Sequence, residues 1–259
     1  MHHCGFQRLR LGKSSSFISF SSALTRGSRS AGHGCSVLLQ LPGDKNILID
    51  GGGAESDRFN IGERIIGPFL WHQKLSHLDA VVVTHPHADH YNGLPFILTR
   101  FHPKELWING ISGPDKEYGE LLDLAGQLGI ATRITEVGNT LFQAGSTSLF
   151  CIYSGQESVY PTDKFNHGRF INSNDQSLVL RLEINGKSFL FTVSRIFIKS
   201  VAPEYIAISA GRNNRFNFPA QSLYDLQKKG IEVLSTGRDG TITFNLVNGE
   251  ITVSRYQVN

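Results

Sequence analysis

The spacing of apolar and polar positions predicts strands and helices in alternation along most of the chain. Residues 81–83 are an apolar, β-branched run with polar residues on both sides, which is typical of a buried strand. Apolar runs also flank Asn185-Gly186, the dipeptide most typical of a tight β-hairpin turn. Apolar residues return at helical spacing in three stretches, 61–75, 95–101 and 118–128. The pattern therefore predicts an α/β fold.

Length and composition predict one large domain. The chain has 259 residues, 40% of them hydrophobic, which is enough for a sizeable core in a single α/β unit. Residues 1–34 are rich in Ser, Arg and Gly and have no stable helical period, so we predict an irregular or disordered N-terminal segment followed by a domain at 35–259. No apolar run approaches the roughly 18 residues of a membrane span, so the chain as written is expected to be soluble.

The charge distribution gives no independent support for nucleic-acid binding. The formal net charge is +3, but the first acidic residue is Asp44, and five Lys and Arg residues precede it. The rest of the chain is slightly acidic. It therefore lacks the basic composition that is typical of a nucleic-acid platform.

The predicted strand at 81–83 runs into a cluster of metal-competent side chains. His85, His87, Asp89 and His90 fall within six residues. Side chains two apart in an extended or tightly turned loop share a side, so His85 and His87 are expected to face one cation, and Asp89 and His90 a second. Imidazole and carboxylate together suit zinc and related divalent metals. The alternative is a histidine-rich surface loop, which we disfavour because ligand sites are often built at such sheet edges.

This His-x-His-x-Asp-His segment after a strand ending in Thr84 resembles the signature of the metallo-β-lactamase fold. Other segments are similar to the C-terminal hydrolase domain of ComEC-type DNA-uptake (competence) proteins. These segments are Asn46–Gly53, Ile61–Arg64, Pro68–Leu70, Leu78–Ala80, Ser177–Leu182, Phe189–Thr192 and Ile208–Asn214. The resemblance implies a four-layer αββα sandwich.

The resemblance also implies that this sandwich is truncated in its second half. The family follows Phe-Leu-Phe-Thr with a Gly-Asp pair and later a His-His-Gly-Ser segment, and both supply metal ligands. Here Thr192 is followed by Val193-Ser194-Arg195, and neither ligand segment is present. The family also has His before a later Pro, where this chain has Phe218. Three expected metal-facing residues are thus missing.

The resemblance assigns a role to each candidate site residue. His85, His87, Asp89 and His90 would bind up to two divalent ions, zinc or manganese, with Asp89 and His90 also catalytic. Asp50 and Thr84 would lie behind these ligands and orient them. Substitute ligands or substrate contacts would come from a later set: Asn174, Asp175, His167, Arg212 and Asn214.

The function implied by the resemblance is metal-dependent hydrolysis of a phosphodiester in DNA, linked to DNA uptake. Its partners would be nucleic acid and a membrane channel component, and the domain would be extracytoplasmic. Without export, the chain would be cytoplasmic. Two alternatives stay open: a degenerate, non-catalytic family member or gene fragment, and a hydrolase of a small ester, thioester or lactam.

Overall fold

The computed structural model describes residues 36–53, 60–113, 115–155, 176–191, 204–208, 230–247 and 250–256, and the backbone of 16–21. Eight described strands form one mixed sheet in the order β14-β13-β1-β2-β3-β4-β5-β6. Antiparallel pairing joins β14 through β3, and parallel pairing joins β3 through β6. The strands are β1 (Ser16–Ser21), β2 (Ser36–Leu41), β3 (Lys45–Ile49), β4 (Ala80–Val82), β5 (Glu105–Ile108), β6 (Ala131–Ile134), β13 (Thr241–Val247) and β14 (Glu250–Tyr256).

A second, antiparallel sheet has the order β10-β9-β8-β7. Its strands are β7 (Thr140–Ala144), β8 (Thr147–Tyr153), β9 (Val179–Ile184) and β10 (Lys187–Phe191). Asn185-Gly186 forms the β9–β10 turn with positive φ values of 49° and 78°, which confirms the predicted hairpin. A separate parallel pair consists of β11 (Tyr205–Ile208) and β12 (Glu232–Ser235).

Most of the described helices pack on one face of the large sheet. A π-helical stretch, Gly62–Ile66, passes into α1 (Gly67–His72), so the helix type changes at Gly67-Pro68 within the predicted helical stretch 61–75. The other described helices are α2 (Ala88–Tyr91), α3 (Leu94–Phe101), α4 (Lys116–Gln127) and α5 (Thr236–Asp239). None of the described helices is long and apolar enough to cross a membrane.

The two faces of the large sheet bury different partners because side chains alternate along each strand. Leu38, Leu48 and Val81 face the helices, among them α3 and α4. Leu39, Ile47 and Val82 face the second sheet, where they pack with residues such as Leu180 and Leu182. Full burial of such a side chain contributes roughly 1.5–3 kcal/mol. Helices, large sheet and small sheet thus form three successive layers of the described residues, consistent with the predicted αββα sandwich.

One stretch of the N-terminal segment predicted to be irregular is ordered: Ser16–Ser21 is strand β1, paired between β2 and β13 in the large sheet. Ser16–Phe20 also resembles the first strand of the ComEC-type family. Hydrogen bonding on both sides gives this stretch its structure. The predicted truncation falls mostly on residues 192–203 and 209–229, which lie outside the described residues.

Candidate metal centre

The candidate site lies where β3 and β4 end. The two strands are parallel, with Ile49 opposite Val82, so the residues that follow them meet at one edge of the sheet. The Asp50 amide donates to the Val82 carbonyl at 2.9 Å, which continues the pairing by one step. Asp50 then turns the chain with a φ of 59°. A side chain 34 residues before Thr84 is thereby placed directly beside it.

Asp50 holds the histidine loop by three hydrogen bonds. Its Oδ1 accepts from the Thr84 backbone N–H at 2.8 Å, and its Oδ2 accepts from the Thr84 hydroxyl at 2.9 Å. The same Oδ2 lies 2.7 Å from Nδ1 of His90. All three residues are buried, and Asp50 is only 2% exposed. The predicted positions of Asp50 and Thr84 behind the histidines agree with this geometry.

His85 and His87 bring two imidazole nitrogens together. Nε2 of His85 and Nδ1 of His87 are 3.1 Å apart. Two nitrogens bound to one tetrahedral zinc at about 2.0–2.1 Å would be roughly 3.3 Å apart, so this spacing suits a shared ion as well as a direct hydrogen bond. His85 is 1% exposed, and its Nδ1 lies 3.2 Å from the Thr84 hydroxyl. The buried Thr84 hydroxyl therefore holds the His85 ring, with Nε2 of His85 directed toward His87.

His90 and Asp89 form the second pair. Nε2 of His90 lies 3.7 Å from Oδ2 of Asp89, whose side chain is 46% exposed. Burial lowers the pKa of His90, but the charge and hydrogen bond of Asp50, with the charge of Asp89, outweigh burial and raise it above the ordinary value. Because Nδ1 faces the Asp50 carboxylate, the lone pair of neutral His90 is directed through Nε2 toward Asp89.

The donor set fits metal ions as two pairs. Nitrogen and carboxylate oxygen are the donors that zinc and manganese sites use, and the ring centroid of His85 lies 4.0 Å from that of His90, so the pairs adjoin. Within the described part of the chain, no group of three or more His, Cys, Asp or Glu side chains is arranged to hold one ion. Each pair thus offers two of the roughly three protein ligands that a catalytic zinc normally has.

The later candidate residues cannot be compared with this geometry. Asn174, Asp175, His167, Arg212 and Asn214 all lie outside the described residues.

A cavity of about 340 Å³ opens beyond the end of β5. Its apolar walls include Ile108, Tyr118 and Leu122, and the Tyr118 ring lies 5.3 Å from that of Tyr91, the last residue of α2. The Tyr118 hydroxyl is buried and has no hydrogen-bond partner among the described residues. Burial, with the charge of Tyr91, raises the pKa of Tyr118 to about 12. Sequence reasoning missed this cavity because most of its lining comes from ordinary loop positions, 110–113 and 115, and from the start of α4.

Sequence reasoning also missed Asn109, a fully buried amide that follows β5. Its Nδ2 donates to the Gln176 carbonyl at 3.0 Å, and its Oδ1 accepts from the Ile111 amide at 3.1 Å. A signal was present, because Asn109-Gly110 follows an apolar strand at the same sheet edge as the histidines.

The layered α/β architecture and the strand-end histidine loop held by a buried aspartate are consistent with the metallo-β-lactamase fold. In a comparison with known protein families, residues 30–143 match the family model described as the metallo-beta-lactamase superfamily.

Among curated proteins, the chain is 27% identical over 272 residues to ComE operon protein 3 of Bacillus subtilis (strain 168). The match covers 87% of this chain but 33% of that protein, so the chain spans about a third of its relative.

Solved structures with similar folds include a diphosphatase from the PhnP family and Zn(2+)-bound PqqB from Methylobacterium extorquens. The diphosphatase is 13% identical with a TM-score of 0.45, and the match covers 86% of this chain and 87% of that one. PqqB is 12% identical with a TM-score of 0.45, and the match covers 86% of this chain and 80% of that one. Both likenesses are distant.

Proposed function

We propose that the chain is a metal-dependent hydrolase of the metallo-β-lactamase superfamily that cleaves phosphodiester bonds in DNA. The observation that carries the proposal is the histidine loop, which Asp50 fixes from behind through Thr84 and His90. Burying a carboxylate is costly unless hydrogen bonds satisfy it, so a buried carboxylate with three hydrogen bonds is not expected beneath a surface loop that is rich in histidine by chance.

The chain's own residues would perform three tasks. His85 and His87 would hold one ion and His90 with Asp89 the other, and bound divalent metal would supply activation of water and stabilisation of negative charge on the phosphoryl group. Asp50 would keep His90 in the tautomer with its Nε2 lone pair free. Asp89, whose carboxylate is half-exposed, would accept a proton from the attacking water.

DNA is the substrate that the resemblance to ComEC-type DNA-uptake proteins implies, and the alignment of ComE operon protein 3 with 87% of this chain supports a relation to a competence operon protein. Because the chain spans only a third of that protein, we propose that it acts with a membrane channel component and on the outer side of the membrane.

The test is hydrolysis by the purified full-length chain supplied with Zn²⁺ or Mn²⁺. We expect cleavage of bis(p-nitrophenyl) phosphate and of DNA, and none of a thioester or a β-lactam. The variant His87→Ala should abolish the activity, while His77→Ala, which alters an exposed histidine before β4, should leave it unchanged. Cleavage of the thioester or lactam alone would instead identify a small-molecule hydrolase.

A degenerate, non-catalytic domain is the second candidate, and two observations favour it. The described residues gather no three metal donors around one point. In addition, the alignment with ComE operon protein 3 extends over 272 residues although it covers 87% of a 259-residue chain, so the relative has residues that this chain lacks. Metal analysis separates the candidates: under about half an equivalent of bound transition metal would favour degeneracy, because structural and catalytic zinc sites normally fill stoichiometrically.

A further inference from the structure

The amide of Asn109 is fixed at both ends. It is 0% exposed, its Nδ2 donates to the carbonyl of Gln176 at 3.0 Å, and its Oδ1 accepts from Ile111. The two contacts need a donor on one side and an acceptor on the other, so they determine which way the amide points. Asn109 therefore links the end of β5 to a backbone atom 67 residues later.

Gly155 lies close against the same Gln176 carbonyl. Its φ is +79°, and a Cβ added there would lie 1.8 Å from the oxygen of Gln176. A side chain at this position would require the backbone of Gln176 to move. Gly155 and Gln176 are the last and first described residues on either side of 156–175, so both ends of that stretch meet at one point.

This meeting point is tied to the histidine loop. The amide of Leu178, two residues after Gln176, donates to the carbonyl of Thr84 at 2.8 Å. Thr84 is the residue that Asp50 holds, and it immediately precedes His85. A continuous set of contacts therefore runs from Asn109 and Gly155 through Gln176 and Leu178 to the candidate ligands.

We infer that Asn109 and Gly155 are positioning residues of the metal centre, acting through the carbonyl of Gln176 and the Leu178–Thr84 hydrogen bond. This inference rests on the proposed metal-dependent function. These contacts of Asn109 and Gly155 with the Gln176 carbonyl form a clamp that fixes how Gln176 and Leu178 lie against Thr84. Metal affinity therefore depends on the clamp, although neither Asn109 nor Gly155 is a ligand.

The expected loss of metal affinity is taken from other metal sites, in which residues hydrogen-bond to a ligand without touching the metal. Replacing such a group typically weakens metal binding 10- to 100-fold. We expect that range for Asn109→Asp, which keeps the acceptor for Ile111 but puts a carboxylate oxygen against the Gln176 carbonyl. We expect it also for Gly155→Ala, which reaches the same carbonyl without altering Asn109.

Each variant has a matched control. Asn46→Ala removes another buried amide with hydrogen bonds at both ends, but at the start of β3, away from the strand ends that carry the site. Gly138→Ala places a Cβ on a residue with φ of +84° where nothing lies within 4 Å, so it reproduces the backbone strain without the collision.

The experiment is competition for Zn²⁺ against a chromophoric chelator, using the full chain and the four variants. Hydrogen exchange of the Leu178 amide is followed in parallel. Weakening of at least tenfold in Asn109→Asp and Gly155→Ala, with faster exchange at Leu178 and less than twofold change in the controls, supports the inference. Equal affinities throughout, or equal losses in the controls, would overturn the inference and leave the proposed function standing. No Zn²⁺ binding by the unaltered chain would overturn both.

Discussion

Replacing Asp50 tests whether the histidine loop is held from below by one carboxylate. Asp50→Ala removes the acceptor for the Thr84 amide, the Thr84 hydroxyl and His90 Nδ1. Asp50→Asn keeps an oxygen for the Thr84 amide and removes the charge. Asn also tolerates the left-handed backbone at φ 59°, whereas Ala is strained there, so the pair of variants separates charge from backbone geometry.

The structure sets the expected magnitudes. A buried donor left without an acceptor costs about 1–3 kcal/mol, and breaking a buried charged pair about 3–5 kcal/mol. These costs overlap, because the Thr84 hydroxyl also lies 3.2 Å from His85 Nδ1 and so has a second partner. We therefore expect Asp50→Ala to lower the free energy of unfolding by about 3–5 kcal/mol and Asp50→Asn by about 1–2 kcal/mol. The first loss is a large share of the roughly 5–15 kcal/mol by which typical domains are stable.

The assay is urea unfolding near neutral pH with a chelator present, so that metal binding does not contribute. Circular dichroism and tryptophan fluorescence should report one midpoint. A loss below about 1 kcal/mol in Asp50→Ala would refute the reasoning, because it would mean that the buried donors find other partners. Equal losses of unfolding free energy in both variants would show that the effect comes from the charge alone. The lost acceptor for the Thr84 amide and the strained backbone would then contribute nothing.

Three further predictions concern other positions. Burial raises the pKa of Asp79, but hydrogen bonds from Lys45, the Asn46 amide and Lys104 outweigh burial and lower the pKa to about 2. At pH values above its ordinary pKa, the Asp79 carboxylate therefore stabilises the folded state, and this stabilisation is lost as the pH falls toward 2. Allowing for solvent around both lysines, Asp79→Asn should cost about 1–2 kcal/mol at neutral pH, and pH-dependent unfolding should show the difference vanish in acid. Gly119→Ala, in α4 with open space at the Cβ position, should raise the free energy of unfolding by about 0.4–1 kcal/mol, measured by urea titration. Gly93→Ala would place a Cβ 2.2 Å from the Gly51 carbonyl, and a markedly lower thermal midpoint is expected; an unchanged midpoint would show that this approach is not tight.

Much of the site could be predicted from the sequence because its residues follow strands directly. Val81–Val83 identifies a buried strand, and the side chains after such a strand lie at a sheet edge. The positions of Asp50 and Thr84 came from family resemblance, and the parallel pairing of β3 with β4 explains them physically. Local pattern and long-range pairing agree at these residues.

The clamp at Gln176 could not be predicted, because it joins Asn109, Gly155 and Thr84 across long separations in the sequence. An asparagine after a strand is common in turns, and nothing local distinguishes one whose amide is fixed at both ends. Only the assembled sheet distinguishes such contacts from ordinary loops.

Strand β6 ends the large sheet, and all four of its residues are exposed. Among the described residues no strand pairs with the outer edge of β6, and such an edge is a template on which another strand can add. Ile134, which is 58% exposed, would gain burial from such pairing. Arg133 stands beside Ile134 and is paired with Glu105 at 3.1 Å, so an incoming strand would have to bury or match that charge. Replacing Arg133 with an apolar residue should therefore increase self-association of this protein at high concentration.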